Sequence, residues 1–122
     1  MIKIVIPKIP PSDNRFKGRE NVWEYREQKK AWKEMVALLC RKHKATLDRA
    51  EVKITYFFPT RHRRDPDNYS GKFILDGLTE AGILKDDSFG CIDLVLRGDY
   101  DKDDPRTEIE ITDKSLEKEK KR

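Results

Sequence analysis

Val52, Ile54, Tyr56 and Phe58 alternate with Lys53, Thr55 and Phe57, and the run stops at Pro59. Successive side chains of a strand point to opposite faces, so four large apolar groups fall on one side of a sheet and need a covering layer. Their other face, with Lys53 and Thr55, tolerates water. The chain has 122 residues, 41% charged and 36% hydrophobic, enough for one domain with a thin core and not for two. A single sheet covered by helices satisfies both constraints.

The other elements follow from the same periodicities. Ile2, Ile4 and Ile6 predict a first strand ending at Pro7, and Pro10-Pro11-Ser12-Asp13-Asn14-Arg15 predicts an ordered turn. Asn21 followed by Glu24 has the spacing of a capping box, with a helix expected from about Val22 to Lys44. Its apolar stripe comprises Trp32, Met35, Val36, Leu39, Cys40 and His43. A second helix is expected from Asp67 or Asn68 to Ala81, with Gly82 past its end. Ile92, Leu94 and Leu96 mark a third strand, Ile109 and Ile111 a fourth, and Gly98–Pro105 an acidic hairpin between them. The order β-α-β-α-β-β predicts an α+β, two-layer fold with two main helices on a mixed β-sheet. The domain is expected to span 1–113, with 114–122 a charged C-terminal tail.

Charge is unevenly divided. Residues 1–64 carry an excess of ten positive charges and residues 65–122 an excess of six negative ones, within a net +4. That division suits a polyanion held by one half and a metal held by the other. Cys40 and Cys91 make no disulfide framework, and no secretory or transmembrane segment is visible, so a cytoplasmic chain is expected. Cys40, His43, His62 and Cys91 have no zinc-knuckle spacing. Asp99, Asp101 and Asp103 imitate the start of a calcium loop, but its sixth position is Asp104 where glycine is required.

The densest chemistry lies in Arg61-His62-Arg63-Arg64-Asp65-Pro66-Asp67-Asn68. Guanidinium groups match phosphate geometry, and adjacent carboxylates suit a hard divalent ion. In an extended Asp-x-Asp both carboxylates face the same way, so Asp65 and Asp67 can reach one ion. The competing role for Asp67 or Asn68 is a helix cap. Asp86-Asp87, after the second helix, can return a third carboxylate. Lys72 is placed to meet a phosphate oxygen or leaving group, its bland alternative being an i,i+4 ion pair with Asp76.

In this order the segments resemble the RusA family of Holliday-junction endodeoxyribonucleases, common in bacteria and prophages. The resemblance runs through Ile9-Pro-Pro-Ser-Asp-Asn-Arg15, Arg63-Arg-Asp-Pro-Asp-Asn68, Leu75-Asp-Gly-Leu-Thr-Glu-Ala-Gly82 and Lys85-Asp-Asp-Ser88, covering most of residues 2–113. It implies that Asp65, Asp67 and Asp87 are the essential metal-binding carboxylates and Lys72 the catalytic lysine. It also implies a homodimer using Mg²⁺, with Mn²⁺ a possible substitute. One departure stands out: Lys72 is five residues after Asp67, where the family pattern has four. Its spacing to Asp76 fits, so an extra residue near Ser70-Gly71 is the simplest account.

The resulting expectation is a Mg²⁺-dependent endonuclease that resolves branched DNA by paired nicks during recombination and repair. Arg61, Arg63, Arg64 and Arg15 would hold the DNA backbone without reading bases, and Asn14 would tie the Pro-rich turn to the site. Two alternatives remain: a basic DNA-binding protein of the same fold without chemistry, and a fork- or flap-selective nuclease. Trp23, Tyr25 and Phe57 are the candidates for a dimer interface.

Overall fold

The strand Ala50–Phe58 (β2) lies at the middle of the sheet and sets the register of everything else. In the computed structural model, which describes residues 1–16, 22–43 and 46–115 apart from the side chains of Asn14 and Phe16, it pairs on both sides. The strand Ile92–Tyr100 (β3) runs parallel to it, and Arg106–Asp113 (β4) runs antiparallel on its other side. The first strand, Ile2–Ile6 (β1), joins β4, giving the mixed order β1-β4-β2-β3.

Apolar rows cross this sheet at right angles to the strands. Ile4, Ile109, Ile54 and Leu96 form one row, and Ile2, Ile111, Val52 and Leu94 the next. The helices Val22–Leu39 (α1) and Lys72–Glu80 (α2) cover that face. Trp32 and Val36 from α1, with Cys40 just past its end, meet Phe73, Ile74 and Leu78 from α2 in one continuous core. The two helices approach closely at Gly77, where an added Cβ would lie 2.8 Å from the Val36 Cβ. Burial pushes the Cys40 thiol up to about 11, so it is a neutral, apolar packing group there. The other face of the sheet is a charge ladder, with Lys3–Glu108 and Lys53–Glu110 ion pairs at 3.4 and 3.8 Å. This is the expected two-layer α+β fold, with the expected element order.

Three local expectations are corrected. β3 and β4 form no hairpin: they flank β2, so the acidic connection crosses the end of β2, where the Asp101 N–H donates to Phe58 O at 2.9 Å. The alternation of apolar residues marked both strands but carried no information about their partner. Secondly, α2 does not start at Asp67 or Asn68. A 3-10 turn spans Pro66–Asn68, and the helix begins at Lys72 after Gly71, whose φ of 81° breaks the continuity. Thirdly, α1 ends at Leu39. Asn21 of the capping box, Lys44 and residues 116–122 of the tail lie outside the described residues.

Among the potential dimer contacts, Tyr25 packs on Phe73 with centroids 5.5 Å apart, and the Arg106 guanidinium lies 3.9 Å over the Phe57 ring. Trp23 is exposed. The imitation calcium loop is closed by its own chain. Asp101 Oδ1 accepts the N–H groups of Asp103 and Asp104, and Oδ2 pairs with Arg106 at 2.7 Å. No helix among the described residues is long and apolar enough to cross a membrane.

Candidate active site

The charged segment leaves the sheet at the C-terminal end of β2, where Pro59 cannot continue the ladder. Its three arginines and His62 have different surroundings. Arg64 folds back: it donates to Thr60 O at 3.0 Å, His62 O at 3.1 Å and Thr60 Oγ1 at 2.8 Å. Its guanidinium also covers the Phe58 ring at 4.3 Å. Arg61 stacks on Tyr100 at 4.1 Å, which leaves its N–H edge open to solvent. Arg63 is 89% exposed and touches Asp65 at 3.3 Å. His62 is exposed.

Asp65 is extended, with φ −105° and ψ 141°, as expected of a residue before proline. The Asp-x-Asp run does not continue extended, however. Asn68 N–H bonds Asp65 O at 3.0 Å and Tyr69 N–H bonds Pro66 O at 3.0 Å, so Asp67 sits on a tight turn and is exposed. Pro66 takes the first turn position, where a missing N–H costs nothing. Asp65 borders a cavity of about 50 Å³ lined by Tyr56, Phe58, Tyr69, Leu96 and Gly98. The three rings form a cluster with centroids 5.1 to 6.0 Å apart, which makes a rigid floor for the turn.

Lys72 is the first residue of α2 and is exposed. Among the described residues it forms no ion pair with Asp76, which instead lies 4.0 Å from Lys29 on α1. Gly71 places Lys72 here. Its positive φ starts the helix, and its α-carbon packs so tightly that a Cβ would meet Ile54 Cδ1 at 2.8 Å.

Asp87 lies elsewhere along the β3 edge, in a cavity of about 700 Å³ lined with Leu75, Phe89, Ile92 and Leu94. Its loop is fixed by the stretch before β2: Leu47 bridges Leu84, and Arg49 donates to Phe89 O at 2.8 Å and Asp93 Oδ1 at 2.5 Å. Among the described residues no three acidic, His or Cys side chains converge closely enough to hold a metal ion. Asp65 and Asp67 have the right hard oxygen donors, but one copy of the chain does not assemble the set of three.

The Pro-rich turn does reach the site. Ser70 donates to Asp13 Oδ2 at 2.9 Å across 57 residues of sequence, and that bond does what was expected of Asn14, whose side chain is outside the described set. Asp13 also faces Tyr56, whose buried hydroxyl has no hydrogen-bond partner among the described residues. Burial first, then the Asp13 and Tyr69 charges, hold that phenol well above its usual range. Arg15 pairs with Glu24 of α1. Asp13 and Arg49 were not singled out from the sequence. Nothing in their local pattern distinguishes them from solvated surface residues, because their partners are distant in the chain.

The domain is α+β, with exposed arginines and two aspartates at one end of its central strand. The model of the RusA family, described as endodeoxyribonuclease RusA, matches residues 7–112, and the chain belongs to that family. It is therefore an endodeoxyribonuclease of the Holliday-junction resolvase class, and the family implies a divalent metal cofactor. No curated protein matches the chain significantly.

Proposed function

We propose that this enzyme is a Mg²⁺-dependent, structure-selective endonuclease that resolves four-way DNA junctions by paired nicks, acting in the cytoplasm as a homodimer. The observation that carries the reading is the tip of the loop after β2, where Asp65 and Asp67 stand beside the exposed Arg61 and Arg63. Asp65 and Asp67 are assigned to the metal, with Asp87 as the third carboxylate although one copy of the chain leaves it apart from them, and Mn²⁺ is a substitute for Mg²⁺. Those carboxylates would hold a divalent ion, which would supply charge neutralisation at the phosphate and lower the pKa of a water. The chain's own residues bind and orient the substrate. Arg61 and Arg63 present open guanidinium edges to successive phosphates, and Lys72, at the positive end of α2, meets a phosphate oxygen.

The symmetry of the substrate supports a homodimer in the same reading. A four-way junction is close to two-fold symmetric, and one carboxylate loop makes one nick, so two loops related by a two-fold axis match the substrate. The test is incubation with labelled four-way junction, fork and linear duplex, with Mg²⁺ and with EDTA. Paired symmetric nicks in the junction, absent with EDTA, are expected. Faster cutting of the fork than the junction would reassign the enzyme to forks or flaps, and cleavage in EDTA would end the metal-dependent reading.

A further inference from the structure

β3 is the longer of the two sheet edges, and apart from the charges Asp93, Arg97 and Asp99 it lacks the usual defences. β1, at the opposite edge, has only five residues and is followed at once by Pro7. β3 has nine residues, about 30 Å of strand, with no proline and no bulge-forming glycine before Gly98. Leu94 is 39% and Val95 37% exposed, and beside them Phe89 is 99% exposed although its carbonyl is held by Arg49. A rigidly presented aromatic next to an apolar cavity and an open strand edge is the composition of a protein interface.

The ladder restricts what can pair there. Ala50 N–H donates to Cys91 O, so the odd-numbered residues of β3 bond inward to β2. The N–H and C=O groups of Leu94, Leu96 and Gly98 therefore point outward. Asp93, Val95, Arg97 and Asp99 share the open face of the sheet. An antiparallel copy centred on Val95 sets Asp93 opposite the partner's Arg97, and Arg97 opposite the partner's Asp93. It also sets Leu94 opposite the partner's Leu96, a hydrogen-bonded pair. Centring on Leu94 sets each of these charges against an uncharged residue. Centring on Leu96 opposes Asp93 to the partner's Asp99, and centring on Asp93 or Arg97 opposes like charges.

We propose that the homodimer, on which this inference rests, forms by antiparallel β3–β3 pairing about Val95, joining two four-stranded sheets into one of eight strands. The occupant of the β3 edge is a second copy of this chain, selected by the Asp93–Arg97 complement, with Asp93 keeping Arg49 on Oδ1 and offering its other, solvent-facing oxygen to the partner. The same register carries Phe89 towards the Gly98 end of the partner's strand, where an aromatic-lined cavity is available.

Charge reversal and mixing test this directly. In sedimentation equilibrium the full chain should be dimeric. Arg97→Asp and Asp93→Arg should each raise the dimer dissociation constant at least tenfold, because each homodimer then holds two like-charge contacts. An equimolar mixture of the two should recover dimers to within about threefold, since every contact in the heterodimer is opposite in sign. Circular dichroism checks that each variant is folded, and the mixture supplies its own control. If the unmodified chain dimerises and both variants dimerise equally well, or if mixing restores nothing, the Val95 register is wrong while the homodimer stands. If the unmodified chain is monomeric yet nicks junctions in pairs, the homodimer falls and the register with it.

Discussion

Gly71 carries a steric claim that thermal unfolding can measure. It has φ of 81°, and a Cβ there would meet Ile54 Cδ1 at 2.8 Å; Gly82 has nearly the same φ, 82°, but nothing within 4 Å of its Cβ position. Gly82→Ala therefore reports the conformational cost alone, about 1–2 kcal/mol for an L-residue in the left-handed region. Gly71→Ala adds overpacking against a β2 core residue, a further ~1–3 kcal/mol. The sum is about 2–5 kcal/mol, a large part of the stability of a domain this size. At roughly 4 °C per kcal/mol, Tm should fall by roughly 4–8 °C for Gly82→Ala and 8–20 °C for Gly71→Ala. Ile54→Val removes the opposing methyl and alone costs about 0.5–1.5 kcal/mol. In that background Gly71→Ala should cost no more than Gly82→Ala does. Calorimetry on the four single and double variants reads the coupling. If Gly71→Ala and Gly82→Ala agree within about 0.5 kcal/mol, or if the Gly71 and Ile54 effects simply add, the clash is not present.

Replacing Asp65, Asp67 or Asp87 by Asn should lower cleavage on the order of a hundredfold or more, with junction binding in gel shifts unchanged or tighter because a repelling charge is gone. Lys72→Ala should lower kcat far more than it weakens binding; a loss of affinity with kcat intact would make Lys72 a phosphate anchor. Arg63→Gln should weaken binding to all DNAs and flatten the salt slope by roughly one per lost contact, whereas Arg64→Gln should lower Tm and leave that slope nearly unchanged. Arg106 holds the Glu108 and Asp101 carboxyls below their usual ranges by hydrogen bonding. Such groups contribute stability above their unfolded pKa values, and this is lost as pH falls through the lower folded ones. Arg106→Met should therefore be most destabilising near neutral pH, and its difference from the unmodified chain should shrink below about pH 4.5.

Alternation was enough to find all four strands, and the helical stripe was enough to place Trp32, Val36 and Cys40 inward. Pairing was not legible. A strand buried on one face reads the same whether its neighbour is parallel or antiparallel, so β3 and β4, close in sequence, were expected to pair and do not. The start of α2 was misplaced for a related reason. Asp67 and Asn68 are good caps by type, but Gly71 decides the matter through a close approach to Ile54, a residue on another element. Asp13 and Arg49 escaped notice because their partners, Ser70 and the Phe89–Asp93 loop, lie 40 or more residues away.

The arginine run shows how far residue type can be trusted at such a site. By sequence Arg61, Arg63 and Arg64 are equivalent phosphate ligands, and only the floor beneath them distinguishes their duties. Phe58 ends β2 under Arg64, and the turn at Thr60 offers that guanidinium two carbonyls and a hydroxyl. Three of that guanidinium's five N–H donors are engaged within the loop that carries Asp65. Arg61 meets only the Tyr100 ring, a contact made by its flat face that leaves the donor edge available. Arg63 is held by little besides Asp65 and is free to follow a phosphate. On the proposed function, a loop that holds two carboxylates still while gripping a mobile polyanion needs both kinds of arginine. Phe58 at the end of β2, under Arg64, and Tyr100 at the end of β3, under Arg61, are what separate them.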